Sequence, residues 1–394
     1  MLDGFVKPRY DEGGFASLPG RVQQALLSGR YDAVVFCLAD GFGWRFIERF
    51  QYEPFLRRLF ALGRLDRLTS QFPSTTSVHV TTIHTGLTVG EHGVLEWFYY
   101  EPLLDRLIAP LLFSYAGDKE RNTLRSHISP RRLLPASRLY AAWRRQGIDA
   151  HVFGSRDHTP STYSKAVMYG ALLHPFKTLS EALINIGLLL ESASRPLYVH
   201  LYAGDMDGIC HTYGPTAPQT EAEFQTFLLL LEHFFTRLAP ARKRVLFLFT
   251  ADHGAVEVDP KTTIYLNIDP QFQGVERFLR TNHRGMPLVP AGSPRDMFLY
   301  IKEGLVDEAQ AFLAERLAGR AEVVKVDTLI AEGYFGPTLT STFRERAGDL
   351  VILPRAGESV WWYVRDKFVQ KYYGHHGGLT PEEMEIGLFT CEWE

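Results

Sequence analysis

The apolar positions of this chain fall into short unbroken runs, separated by longer stretches in which apolar residues recur at spacings of three and four. Four runs read as strands: residues 33–39, 150–153, 197–202 and 245–251. None alternates strictly between apolar and polar, the pattern of strands covered on both faces of a parallel sheet. Residues 45–62, 135–146, 178–192 and 221–238 carry helical spacing. Strands alternating with helices predict an α/β fold, a layered sandwich around a mostly parallel central sheet. Between 262 and 345 the pattern changes. A strand at 296–302, a helix at 305–317 and a second strand at 322–326 sit among Gly and Pro breaks. We read 262–345 as a small α+β lobe inserted into one domain spanning 1–394, with a strand at 349–353 returning the chain to the core.

Composition narrows the classes. The 394 residues are 45% hydrophobic and 22% charged, which excludes a disordered or fibrous chain. With 42 basic and 45 acidic residues, net charge −3, there is no electrostatic case for a nucleic-acid duplex or an anionic membrane as partner. Cys37, Cys210 and Cys391 are too few and too scattered for a disulfide framework or a C-x-x-C pair. The N-terminal residues lack a basic segment followed by an apolar one, and the apolar runs are strand-length. A soluble, cytoplasmic protein is the expectation; the oligomeric state stays open.

Acidic and imidazole residues follow the strands, at the end where open α/β sheets place ligands. Asp40 follows the first run. Asp205, Asp207 and His211 follow the third, and Asp252 and His253 the fourth; His375 and His376 lie in a Gly-rich segment near the C-terminus. Singly, each has a bland reading as turn, cap or solvated loop. Together they would crowd like charges that need a cation, and three Asp with three His suit two transition-metal ions, zinc by ligand type, manganese as the alternative. Residues 71–87 predict a helix over 76–85, from hydroxyl caps to Gly86, although five interior positions are Val, Ile or Thr and propensity is poor. A hydroxyl at that N-terminus meets unpaired N–H groups, a phosphoryl site; plain N-capping is the bland alternative for Thr75 and Thr76.

Asp40-Gly-Phe, Phe72-Pro-Ser-Thr-Thr76 with Thr85-Gly86, Glu91-His-Gly93, Asp207-x-x-x-His211-x-x-Gly-Pro215, Asp252-His-Gly254 and His376-Gly follow in an order that resembles the type I phosphodiesterase/nucleotide pyrophosphatase family of the alkaline phosphatase superfamily. The resemblance covers most of the chain. It implies an alkaline-phosphatase-like three-layer sandwich and a hydrolase of phosphodiester or pyrophosphate bonds in a small-molecule phosphate ester, nucleotides included. It implies that Asp40, Asp252 and His253 hold one divalent ion, shared with Thr76 as nucleophile, and that Asp207, His211 and His376 hold the other. Thr75, Asp205 and His375 are the neighbouring alternatives, and His92 belongs to a structural turn. The reaction implied runs through a covalent phospho-threonine. One departure bears on the phosphoryl contact: nucleotide pyrophosphatases place an Asn shortly after the His-Gly turn, and residues 94–101 contain none. No sulfatase-type nucleophile motif is present. A phosphomonoesterase or phosphonate hydrolase on the same scaffold is the runner-up, and a non-catalytic metal- or phosphate-binding protein the rival class. Trp97, Phe98, Tyr99 and Tyr100 would stack a flat leaving group or pack a lobe; Arg45 and Arg156 would meet phosphate or form surface ion pairs. Tyr202, Tyr213 and Cys210 read as packing.

Overall fold

The unbroken apolar runs become the middle of a seven-stranded sheet in the computed structural model, which describes residues 2–238 and 243–393. Its strands are β1 (Ala33–Ala39), β2 (Gly63–Thr69), β3 (Asp149–Ser155), β4 (Leu172–Phe176), β5 (Leu197–Ala203), β6 (Val245–Thr250) and β7 (Glu385–Trp393). Their order is β2-β7-β6-β1-β5-β3-β4. β1 is parallel to β5 and β6, and β3 to β4 and β5, while β7 is antiparallel to β6 and β2. All seven residues of β1 are buried, as expected of a strand with helices over both faces.

Two sets of helices supply those layers. Helix Thr76–Thr85 packs with Leu18–Leu27, Leu139–Arg145 and Thr162–Val167; Pro218–Leu238 packs with Pro54–Leu62, Leu179–Ser192 and Asp205–Tyr213. The helix expected over 45–62 is two, Trp44–Phe50 and Pro54–Leu62. Pro54 cannot continue a helix but suits the first turn of the next one. Phe46 and Phe50 of the first piece join Phe42, Phe224 and Phe249 in one aromatic cluster, and the helix packs on β7. Offset ring pairs of this kind add to the area they bury.

A second hydrophobic core lies between Ile264 and Trp362. It holds a three-stranded antiparallel sheet of Met297–Leu299, Leu350–Pro354 and Ala321–Lys325, with Leu350–Pro354 in the middle, and helix Val306–Arg316 beside it. The strand expected at 349–353 to rejoin the main core therefore belongs to this small sheet. Leu350, Val351 and Ile352 pair on both sides within it, and the chain returns to the main sheet only at β7.

Candidate active site

Register levels the strand ends. Ala39 of β1 pairs with Ala203 of β5 and Leu38 with Thr250 of β6, so Asp40, the helix Asp205–Tyr213 and the pair Asp252-His253 all leave the sheet at one rim. Two loops meet there because neither has a side chain at the contact: a Cβ on Gly43 would lie 2.4 Å from Gly254 Cα. Across this seam the Gly41 N–H donates to Asp252 Oδ1 (3.1 Å).

The histidines share a pattern. His253 Nδ1 meets the Gly254 carbonyl (2.9 Å), His211 Nδ1 the Gly374 carbonyl (2.7 Å) and His376 Nδ1 the Ser74 carbonyl (3.1 Å). A carbonyl accepts, so each Nδ1 carries the proton and each Nε2 turns a lone pair inward, the arrangement that orients imidazole ligands. His253 Nε2 stands 3.2 Å from Thr76 Oγ1, 3.3 Å from Asp40 Oδ1 and 3.6 Å from Asp252 Oδ2. Asp207 and His211 face each other one helical turn apart (3.1 Å), His376 Nε2 is 4.0 Å from Asp207 Oδ1, and the His376 ring stacks on His253 at 3.7 Å.

Two sets of ligand atoms result: Asp207, His211 and His376, and Asp40, Asp207 and His253. Asp207 belongs to both, whereas the resemblance places it in one; Asp252, expected with Asp40 and His253, stands at the edge of their set. The donor set fits cations. Asp40 Oδ1 and Asp252 Oδ2 are buried with no hydrogen-bond partner among the described residues. Burial, then the charges of Asp252 and Asp207, pushes the Asp40 carboxyl well above its usual range, and burial raises Asp252 as well. Asp207 goes the other way: burial opposes its charge, but His211, His376 and His253 hold it low. Three carboxylates so close relax when positive charge sits among them.

Thr76 opens the helix Thr76–Thr85, whose other nine residues are buried. Thr81 and Thr85 turn their hydroxyls to the carbonyls of Ser77 (2.6 Å) and Thr81 (2.7 Å), and Gly86 closes the helix in the left-handed conformation. Packing thus holds a helix that propensity would not. Thr75 occupies the N-cap position, yet its side chain makes no capping bond. The Val78 N–H is taken by the Thr75 carbonyl (3.2 Å), which leaves the Ser77 N–H, not that of Val78, at the helix mouth. Thr76, half-buried, lines a cavity of about 600 Å³ together with Asp40, Asp207, His211 and His376.

The alternatives separate. Asp205 is exposed on the first turn of its helix. His375 is buried and reaches the cavity but lies outside both ligand sets. His92 ends the short helix Val89–His92, ahead of the left-handed Gly93, its Nδ1 accepting the Val94 N–H (3.0 Å). Arg45 pairs with Glu382 (2.5 Å) away from the cavity, and Arg156 is not among the cavity residues. The aromatic run divides: Trp97 and Phe98 line the cavity, while Tyr99 is buried under Arg346 and Tyr100 packs on Tyr300. Cys210 is buried and apart from the cavity lining. Tyr202, read as packing, instead donates its hydroxyl to Asp40. Glu96, Arg121, Lys367 and Lys371 also line the cavity. Nothing in their sequence neighbourhoods marks them, except that Glu96 lies within residues 94–101, where an Asn was sought.

Strand-end carboxylates, inward imidazoles and a helix-borne threonine thus gather at one rim of an alkaline-phosphatase-like α/β scaffold. The sequence matches the family described as type I phosphodiesterase / nucleotide pyrophosphatase over residues 34–379, and the chain belongs to that family. Solved structures agree on the fold. Murine ectonucleotide pyrophosphatase/phosphodiesterase 5 aligns at 18% identity and TM-score 0.66 over 91% of this chain and 87% of its own. An inactive threonine-to-alanine variant of the murine protein, in complex with AMP, aligns at 17% identity and TM-score 0.66, with the same coverage. The human protein aligns at 16% and 0.64, again over 91% and 87%. Among curated proteins none matches.

Proposed function

We propose that this protein hydrolyses a phosphodiester or pyrophosphate bond of a small nucleotide-like ester through a covalent intermediate on Thr76. The observation that carries the reading is the position of Thr76 Oγ1, at the uncapped start of a buried helix, on the cavity wall and 3.2 Å from the inward Nε2 of His253. Asp40, Asp252 and His253, with Thr76, would hold one divalent ion, and Asp207, His211 and His376 the other, Asp207 standing within reach of both sets; zinc suits these donors. When bound, such ions neutralise the crowded carboxylates, acidify the hydroxyl and offset charge on the phosphoryl group and the leaving oxygen.

Thr76 Oγ1 releases its proton to solvent and bonds to phosphorus while the bond to the leaving oxygen breaks, its electron pair departing with the alkoxide or phosphate. Water then attacks the phospho-threonine from the vacated side and loses a proton, the P–Oγ1 bond returns its electrons to the threonine oxygen, and that oxygen takes up a proton from solvent. The Ser77 N–H and the positive end of the helix face the equatorial oxygens. Trp97 and Phe98 offer flat apolar surface to a leaving group, and a structural neighbour bears AMP. Arg121, Lys367 and Lys371 in the same cavity favour phosphomonoester hydrolysis as the second reading, because a dianionic end needs such charge.

Zinc-loaded protein should cleave an activated phosphodiester faster than the matching monoester. Thr76→Ala should lower kcat by at least about 10³-fold with metal content unchanged. Near wild-type turnover in that variant would remove Thr76 from the reaction, and a monoester preference would promote the second reading.

A further inference from the structure

One acid on the cavity wall plays no part in the reaction described above. Glu96 is fully buried and lines the cavity with Thr75 and Thr76. Its Oε2 accepts the Trp97 N–H, while its Oε1 has no hydrogen-bond partner among the described residues. Asp296, close enough to feel its charge, is also fully buried: Oδ1 accepts the N–H (3.0 Å) and hydroxyl (2.5 Å) of Ser293, and Oδ2 has no partner.

No ion pair joins either acid to a cation among the described residues. Arg295, adjacent in sequence, spends its guanidinium on Glu383 (2.9 Å) and on the carbonyls of Arg355 (2.8 Å) and Pro354 (3.0 Å). The groups that face this pair are Glu383, which adds negative charge beside Asp296, and the Thr75 side chain, which favours ionised Glu96. Two uncompensated buried carboxyls cannot both be ionised at moderate cost, so the pair retains a proton. Burial pushes Glu96 up to about 7, and burial together with the Glu96 charge holds Asp296 well above the carboxylate range.

A protonated carboxyl with a free oxygen is a donor, and the oxygens of a phosphoryl group only accept. We propose that Glu96 is a phosphoryl-binding donor: its Oε1–H hydrogen-bonds a non-bridging oxygen of the group held at Thr76. The inference rests on the reading of Thr76 as the phosphoryl acceptor. It gives the departure from the nucleotide pyrophosphatase pattern a function, with an acid in place of an amide. Unlike an amide, such a donor vanishes when it ionises. It therefore works below about pH 7 and fails above, where the carboxylate would repel the phosphoryl oxygens.

The test compares wild type, Glu96→Gln and Glu96→Ala, all metal-loaded, on an activated phosphodiester between pH 6 and 9. At pH 6 the Gln variant, a fixed neutral donor of the same shape, should keep kcat within about threefold of wild type, and the Ala variant should lose about 10²-fold. Above pH 7 the wild type should decline and the Gln variant should not. An Ala variant as active as wild type, or a Gln variant as impaired as Ala at pH 6, would overturn the proposal. Infrared difference spectra supply a readout independent of turnover. A protonated-carboxyl carbonyl band that is lost as pH rises through about 7 should be present in wild type and missing from Glu96→Gln, in which the Asp296 band remains; absence of such a titrating band from wild type would also overturn the proposal. If wild type cleaves no phosphodiester but shows the band, the function assigned to Thr76 fails while the protonation of Glu96 stands.

Discussion

His79 shows how single side chains hold the threonine in place. It is fully buried; its Nδ1 donates to the Thr75 carbonyl (2.7 Å) and its Nε2 accepts the Gln71 N–H (2.8 Å), so the ring joins the strand-side loop to the start of the helix. Burial drives it down to about 3, and does the same to His92 and His200. All three stay neutral in the fold, whereas the unfolded chain takes protons near 6.5. Below 6.5 the unfolded state binds the extra protons, so stability is present above that pH and is lost as pH falls toward 3. Denaturant unfolding of chelator-treated protein should give a midpoint that drops steadily between pH 6.5 and 5, and a His79→Phe variant should show a shallower drop. At this scale the gathering of acidic and imidazole residues was legible, because Asp40, Asp252 and His253 directly follow apolar runs that became strands and Asp207 lies five residues after another. Glu96 and Tyr202 were not. Their roles come from what folds over them, and one Glu after a turn or one Tyr ending a strand looks like many others.

Among the elements, the seam between the loops after β1 and β6 sets the spacing of Asp40 from Asp252. Gly43→Ala would put a Cβ within 2.4 Å of Gly254 Cα, a contact that backbone must move to relieve. Such overpacking costs about 1–3 kcal/mol, and it should also weaken metal affinity, because Asp40 moves with the loop. Gly20→Ala is the matched control: it lies in helix Leu18–Leu27 with nothing near its Cβ, and should stabilise by about 0.5–1 kcal/mol. Thermal melts with and without zinc check both. Helix Thr76–Thr85 was readable to the residue, since hydroxyl caps and Gly86 bracket it. Strands β2 and β4 escaped notice because they are half exposed and carry charge or Pro, and β7 because Glu, Gly and Thr interrupt its apolar positions. The turn at Pro54 was equally visible in the letters; helical periodicity on either side concealed it.

For the whole molecule, Asp207 is the residue through which the two ligand sets touch. Asp207→Asn should lower the occupancy of both ions together. His211→Ala removes a ligand from one set only and should leave about one ion per chain, as read by metal analysis after dialysis. Equal stoichiometry in the two variants would contradict the shared position. Two buried ion pairs tie distant segments together. Arg295 and Glu383 pair with no solvent exposure, Glu383 also receiving the Gly378 N–H (3.0 Å), and Arg346 joins Glu101 (2.6 Å) to the Gly93 carbonyl (2.7 Å). Losing one partner of such a buried pair strands a charge, at about 3–5 kcal/mol.

β7 has a consequence for biogenesis. It is the bridge between β2 and the rest of the main sheet, and it follows His376 in the chain. On the ribosome, Asp40 and Thr76 emerge long before either. A nascent polypeptide therefore carries an unpaired edge strand and a half-built set of acidic and imidazole side chains, which is complete only once that late segment has been delivered.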